Sequence, residues 1–283
     1  MEKAKEQAEI LVQALPYIRR YSGMTMVIKY GGNAMINPEL KEAVMRDIVL
    51  MHYVGMRPVL VHGGGPEISE MMKKVGKQPS FVGGLRVTDE ETMEIVEMVL
   101  AGKTNKGIVA LLNRQGGRAV GLSGKDGDLF IAEKVVSDAG DLGYVGDVVE
   151  INTDIVQTLI HEGYIPVISS VAVGRDGHSY NINADHVAGK LAAALGASKI
   201  IMLTDVLGIY RDFSDKSSLI SSLTVDEARQ LAKQVDKGMI PKIEACVTAL
   251  DGGVERAHII DGTIPHALLM EVFTDKGIGT MIA

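Results

Sequence analysis

Short runs rich in β-branched residues alternate with helical patterns along nearly the whole chain, and this rhythm limits the possible folds more than any other feature. The runs MTMVIKY (24–30), RPVLVH (57–62), RAVGLS (118–123), YIPVISSV (164–171), KIIMLTDV (199–206) and AHIID (257–261) have the length and composition of buried strands. The segments between them carry readable helix starts. Asn37-Pro38 places a cap before a proline at the first helical position, and Thr88–Glu91 and Thr224–Glu227 each read as a capping box. This order predicts an α/β fold with a mainly parallel sheet and helices on both faces. Residues 124–150 interrupt it with turn-forming stretches at Lys125–Asp128 and Gly140–Gly143, which read as β-hairpins over the main sheet. GRDGHSY (174–180) reads as another tight hairpin.

A chain of 283 residues suits one large α/β domain or two modest lobes, with the second lobe beginning near residue 196. A formal charge of -7 argues against a nucleic-acid partner, but not against a phosphorylated ligand held by a few local donors. The single cysteine, Cys246, excludes an internal disulfide or a cysteine metal cluster and points to a reducing compartment. It lies in IEACVTAL, which reads as a core helix. No signal peptide is recognisable, and no apolar run approaches the ~18 residues of a membrane span. A soluble cytoplasmic protein without membrane partners is the expectation.

Two glycine clusters each follow a strand and precede a helix: Lys29-Tyr30-Gly31-Gly32 and His62-Gly63-Gly64-Gly65-Pro66-Glu67. Ligands of α/β sheets gather at the carboxyl ends of strands. Glycine lets the backbone approach an anion there, and the next helix start offers free N–H groups. Either cluster alone could simply be a tight turn; two, one of them led by lysine, point to a phosphate or carboxylate site. Asn181, Asn183 and Asp185 precede another helix, where Asp185 could cap it and all three could serve a site. Lys242 follows a Gly-Pro bend at a helix start, an unfavourable place for a cation without a partner. Gly102-Lys103-Thr104 imitates a phosphate loop, but the glycine required five positions before Gly102 is Glu97.

KYGGNAM, VHGGGPEI, GLRVTD, GLSGKDG, YNINAD, LTDVLGIY and GMIPK occur in an order and spacing that resemble the amino acid kinase family, in particular its members acting on N-acetyl-L-glutamate. The resemblance covers the chain from about residue 24 and implies a three-layer α/β/α sandwich. Residues 24–195 would be the lobe for N-acetylglutamate and dimerisation, and 196–283 the ATP lobe. It implies phosphorylation of the side-chain carboxylate, as in the second step of arginine biosynthesis, by ATP with Mg2+. Lys29 and Lys242 would stabilise the transition state and Asp185 would orient them. Gly64, Gly65, Arg86, Asn181 and Asn183 would bind the acid, with Arg86 on its α-carboxylate, a role suited to the planar guanidinium. Gly31, Gly32, Thr204, Asp205 and Gly208 would serve the nucleotide. No metal is held by protein ligands in this scheme.

A carboxylate is already ionised at pH 7, so such a reaction needs alignment and charge cancellation instead of a general base. His62 therefore reads as a structural or orienting residue. Lys237 departs from the family, which has glycine before Gly238-Met239, and leaves the loop before Lys242 in question.

Both ends carry further resemblance. Residues 1–23, with Leu15-Pro16-Tyr17-Ile18, resemble the kinked helix that joins three dimers into a homohexamer in arginine-inhibited members. The C-terminal segment matches the arginine-site signature, implying Tyr17, His258, Gly262, Glu271 and Gly279 as ligands of the inhibitor. A PII-type signalling protein stays open as a partner. Two other functions also stay open: a kinase for an aminoadipate derivative, and a non-catalytic arginine sensor.

Overall fold

The computed structural model describes residues 1–136, 140–275 and 277–283. Residues 137–139, in the interrupted segment, and 276, in the C-terminal one, lie outside the described residues. The chain starts with α1 (Glu2–Tyr21), β1 (Thr25–Tyr30), α2 (Pro38–Tyr53), β2 (Arg57–His62) and α3 (Gly65–Lys74). A small ribbon, β3 (Phe81–Val82) and β4 (Leu85–Arg86), leads to α4 (Glu90–Glu97), a π-helical stretch Met98–Thr104 and α5 (Asn105–Arg114). Next come β5 (Ala119–Ser123), β6 (Phe130–Lys134), β7 (Gly146–Ile151), α6 (Asp154–His161), β8 (Ile165–Ser169), β9 (Val171–Gly174) and β10 (Ser179–Asn181). The last part holds α7 (Ala184–Ala194), β11 (Lys199–Thr204), β12 (Ser222–Leu223), α8 (Val225–Leu231) and α9 (Ile240–Asp251). It closes with β13 (Arg256–Asp261), α10 (Ala267–Val272) and β14 (Thr280–Ile282).

Eight strands form the main sheet in the order β12-β14-β13-β11-β1-β2-β8-β5. All its pairings are parallel except β13 with β14. Alternate side chains of each strand feed opposite layers, as the two-residue period of a strand requires. Val27, Ile168 and Ile200 pack with Val187 and Leu191 of α7 and Ile243 and Cys246 of α9. Met26, Ile28, Val167 and Ile201 pack on the other side with Met45 and Ile48 of α2, Leu112 of α5 and Leu268 of α10. The result is the expected sandwich, with Cys246 buried in it. The interrupted segment and the 174–180 turn form a second sheet, β10-β9-β6-β7, antiparallel at β6–β7 and β9–β10.

The expected caps at Asn37 and Thr224 are present, the latter as a full capping box. Two others are displaced. At α4 the cap is Asp89, not Thr88: Asp89 Oδ1 accepts from the Thr92 amide at 2.8 Å while Thr88 Oγ1 donates to Arg86 O. Lys77 Nζ, 2.7 Å from Asp89, steadies that carboxylate. At α7 the cap is Asn183, whose Oδ1 accepts from the amides of Asp185 and His186. Asp185 is thus freed for other contacts. Helix α1 continues through Pro16.

Helices α7 and α9 approach through Gly189, where a Cβ would stand 2.9 Å from Ala245 Cα and collide with the Ala245 carbonyl. Gly189→Val is expected to lower unfolding free energy by about 1–3 kcal/mol, the usual cost of overpacking a core. Urea denaturation followed by circular dichroism would measure it, and wild-type stability would contradict this account of the contact.

Candidate active site

The site begins at the carboxyl end of β1. Lys29 is 8% exposed, and the turn after it must leave room for its ammonium group. A Cβ on Gly31 would lie 2.6 Å from Lys29 Nζ. Gly32 has φ +70, and a Cβ there would run into the Asp205 carboxylate, so the turn requires glycine on both conformational and steric grounds. On the neighbouring strand, β2, the chain passes through Gly63 and Gly64 into α3, whose first residue is Gly65. A helix start of this kind offers free N–H groups to an anion.

Asp185 reaches the same place from α7. Its Oδ1 lies 2.9 Å from Lys29 Nζ and its Oδ2 3.0 Å from Lys242 Nζ. Lys242 stands in the first turn of α9 and also donates to Gly238 O at 3.4 Å. The cation that the sequence leaves at a helix N-terminus therefore has a carboxylate partner. Burial pushes the Asp185 carboxyl up, but the two lysines outweigh it and hold its pKa at about 2.

Two cavities meet at these charges. The first, about 260 Å³, is lined by Lys29, Gly31, Gly32, Gly64, Gly65, Arg86, Asn181, Asn183 and Asp185. The second, about 310 Å³, is lined by Lys29, Gly32, Thr204, Asp205, Gly238 and Lys242. Lys29 and Gly32 belong to both. Gly208 lines an adjoining cavity instead, which shares Phe213, Asp236 and Met239 with the second. A Cβ on Gly208 would sit 2.6 Å from Thr280 Oγ1. Lys237 is exposed and lines neither cavity.

Arg86, at the end of β4, is part of the wall of the first cavity. Its Nη2 donates to Gly65 O at 2.9 Å and to Ser69 Oγ at 2.8 Å, and its guanidinium lies over the Phe81 ring. These contacts aim the fork, and among the described residues no carboxylate pairs with it. Asn181 donates to Thr88 Oγ1 at 3.2 Å from β10, so the second sheet contributes one wall.

His62 lies behind the site and is fully buried. Asn105 Nδ2 approaches its Nε2 at 3.1 Å, and Gly63 O lies 2.9 Å from its Nδ1. The carbonyl can only accept, so the proton belongs on Nδ1 and Nε2 accepts from the amide. Asn105 Nδ2 is also within hydrogen-bonding distance of Leu122 O and Val167 O. Its two N–H bonds are shared among three acceptors on β2, β5 and β8, so one asparagine sits at the junction of those strands; nothing in the sequence singles it out, because a polar residue in a helical pattern carries no signal of what it meets.

A third cavity, about 240 Å³, lies elsewhere and brings together Tyr17, His258, Glu271 and Gly279. His258 Nδ1 and Glu271 Oε1 are 2.7 Å apart and buried. Burial holds the His258 pKa below its ordinary value despite that carboxylate. Gly262 does not line this cavity; it lies at the opposite end of β13, where its amide donates to Thr204 O at 2.8 Å. Lys199, Arg256 and Asp275 line the cavity without having been anticipated. Lys199 and Arg256 open buried strands, where a charge reads simply as a strand flank.

Residues 24–261 match the amino acid kinase family. The chain is 61% identical to the acetylglutamate kinase of Pelotomaculum thermopropionicum, covering 98% of each. It is 58% identical to that of Moorella thermoacetica, covering 98% of this chain and 97% of the relative. The N-acetylglutamate synthase from Neisseria gonorrhoeae complexed with coenzyme A and N-acetyl-glutamate is similar in structure, with TM-score 0.86 at 29% identity. That match covers 98% of this chain and 63% of the synthase chain. Giardia carbamate kinase, at 17% identity and TM-score 0.69, shares the fold.

Burial holds the His62 pKa at about 4, with nearby Lys106 acting in the same direction and the Gly63 carbonyl opposing. A histidine kept neutral on folding stabilises the protein fully above about pH 6.5, and that contribution is lost as pH falls towards 4. Relative to His62→Gln, the wild type should lose about 2 kcal/mol of unfolding free energy between pH 8 and pH 5. Urea titrations across that range would show it; a difference that stays constant with pH would contradict the neutral assignment.

Proposed function

The chain belongs to the amino acid kinase family, and from that premise we propose that it transfers the γ-phosphoryl group of ATP to the side-chain carboxylate of N-acetyl-L-glutamate. The product is N-acetylglutamyl 5-phosphate, as in the second step of arginine biosynthesis. The observation that carries the reading is Asp185 bridging Lys29 and Lys242 at the junction of two cavities. Residues 24–195 would form the acid lobe and 196–283 the nucleotide lobe, the main sheet continuing across both.

In this reading Arg86 takes the α-carboxylate, and the Gly64–Gly65 turn and Asn181 orient the acid so that its side-chain carboxylate faces Lys29. Asn183 acts through α7, whose first turn it caps and which presents Asp185. ATP enters from the side of Thr204, Asp205 and Gly208, with its transferring phosphoryl against the Gly31–Gly32 turn. The attacking carboxylate needs no base. Its oxygen bonds to γ-phosphorus as the bond from phosphorus to the bridging oxygen breaks and ADP leaves. Lys29 and Lys242 meet the charge that spreads over the phosphoryl and bridging oxygens, while Asp185 fixes both ammonium groups. Mg2+ would arrive on the triphosphate, neutralising phosphate charge, with the Asp205 and Asp236 carboxylates on the wall of its cavity. No group of three or more acidic, histidine or cysteine side chains suited to a metal occurs among the described residues; a magnesium ion held chiefly by phosphates does not require one.

Lys29→Ala and Lys242→Ala should each lower turnover ~10²-fold or more, with a much smaller effect on the Michaelis constant for N-acetylglutamate. An assay of ADP release coupled to NADH oxidation reads both quantities. Turnover within about threefold of wild type in either variant would remove that lysine from the transition state.

We also read the third cavity as an arginine site and α1 as a connector between dimers in a hexamer. Ile10, Leu11, Val12 and Leu15 of α1 are exposed, which suits a helix that packs on another copy. Tyr17 of α1 donates to Asp275 at 2.6 Å, linking that helix to the cavity wall. Arginine could then shift the arrangement of dimers by binding one arrangement better. Among the described residues no helix is long and apolar enough to cross a membrane. Deleting residues 1–23 should turn the hexamer into dimers and relieve arginine inhibition, leaving activity without arginine largely intact. Light scattering and an arginine titration decide this; a truncated hexamer inhibited at the same concentration would sink the reading.

A further inference from the structure

The helix from Glu90 to Arg114 is α-helical at both ends and π-helical at Met98–Thr104. Thr92, Val96, Leu100, Thr104, Ile108 and Leu112 are all buried, at a strict four-residue spacing. In a continuous α-helix each such step overshoots a turn by about 40°, and the stripe would wind away from the core. The wider i→i+5 turn offsets part of that drift: Val96 and Leu100 pack with Ile68 and Met72, and Ile108 and Leu112 beyond it pack with the cluster under the main sheet.

Leu100 is the one residue of this helix that lines the first cavity, among the described residues. It is 1% exposed, and a Cβ on Gly64 would stand 2.6 Å from its Cδ2. Its methyl group therefore lies directly against the glycine turn. Lys29, paired with Asp185, and Arg86 both line the cavity and are the groups suited to the two carboxylates of the acid. The N-acyl branch is the part left to meet the apolar wall, which Leu100 shares with Leu85, Val145 and Ile182; of these Leu100 is the one that meets the Gly64 turn.

We propose that Leu100 sets the size of the N-acyl group, admitting acetyl and turning away longer chains. This rests on the carboxylate-kinase reading above. One methylene in an apolar pocket is worth about 10–200-fold in selectivity, so truncating Leu100 has a measurable consequence. Leu100→Ala should raise the ratio of kcat/KM for N-propionyl-L-glutamate over N-acetyl-L-glutamate by about 10-fold or more. The ratio for N-acetyl-L-2-aminoadipate, which lengthens the other branch, should stay within about twofold, since its limit lies at the two charged groups.

The full chain would be assayed by ADP release, and calorimetric binding of the same three acids would give the ratios without turnover. An unchanged propionyl ratio, or an equal gain for the aminoadipate, would overturn the proposal. Wild-type protein that binds N-acetylglutamate without phosphorylating it would instead count against the kinase reading, and the binding ratios would still judge Leu100. If thermal unfolding shows that Leu100→Ala does not fold, Leu100→Val removes a single methylene and should move the propionyl ratio in the same direction; no movement there overturns the proposal too.

Discussion

Two ammonium groups are held beside one carboxylate at the meeting point of β1, α7 and α9, and the rest of the molecule is arranged around that triad. A buried charge without a partner costs several kcal/mol, so Lys29, Asp185 and Lys242 must arrive together. β1 brings the first as the central strand of the sheet, and Asn183 caps α7 so that the Asp185 carboxylate is left free. Gly189 lets α9 come close enough for Lys242 to reach the other oxygen. Lys29 lines both cavities, and in the second the two lysines share the wall with the Asp205 and Asp236 carboxylates.

The strands and the glycine turns were legible in the sequence because their signal is local. β-branched runs and a lysine followed by two glycines report their own backbone needs. What could not be read was settled by partners far along the chain. Asn183 and Asp185 are both plausible caps, and only the two distant lysines decide which of them is used elsewhere. At α4 the reverse holds, and Lys77 steadies Asp89 as the cap. Gly262 follows β13 directly, yet it lies beyond the strand's carboxyl end, away from the cavity that Arg256 and His258 line. The short strands β12 and β14 also escaped notice, being too brief to show a period. Gly208 adjoins the cavity beside Lys242 without lining it.

Polar groups behind the site make its walls specific as well as rigid. The Asn105 amide reaches a histidine nitrogen and two backbone carbonyls on three strands. Such a junction is costly if half satisfied and strongly ordering if complete. It fixes the imidazole tautomer of His62, and with it the carbonyl of Gly63 at the entrance to the second glycine turn.

The position of β1 also bears on how the chain assembles during synthesis. β1 pairs with β2 soon after both emerge, but its other edge waits for β11, where Met26 faces Lys199. Until then a strand rich in apolar residues shows a row of unpaired amides and carbonyls, a template for pairing with other chains. Parallel partners so distant in sequence close slowly, because loop entropy is lost before contacts are gained. The same central placement that anchors Lys29 in the finished enzyme makes the half-made chain adhesive, and a cell producing it must shield that edge for as long as translation takes to reach β11.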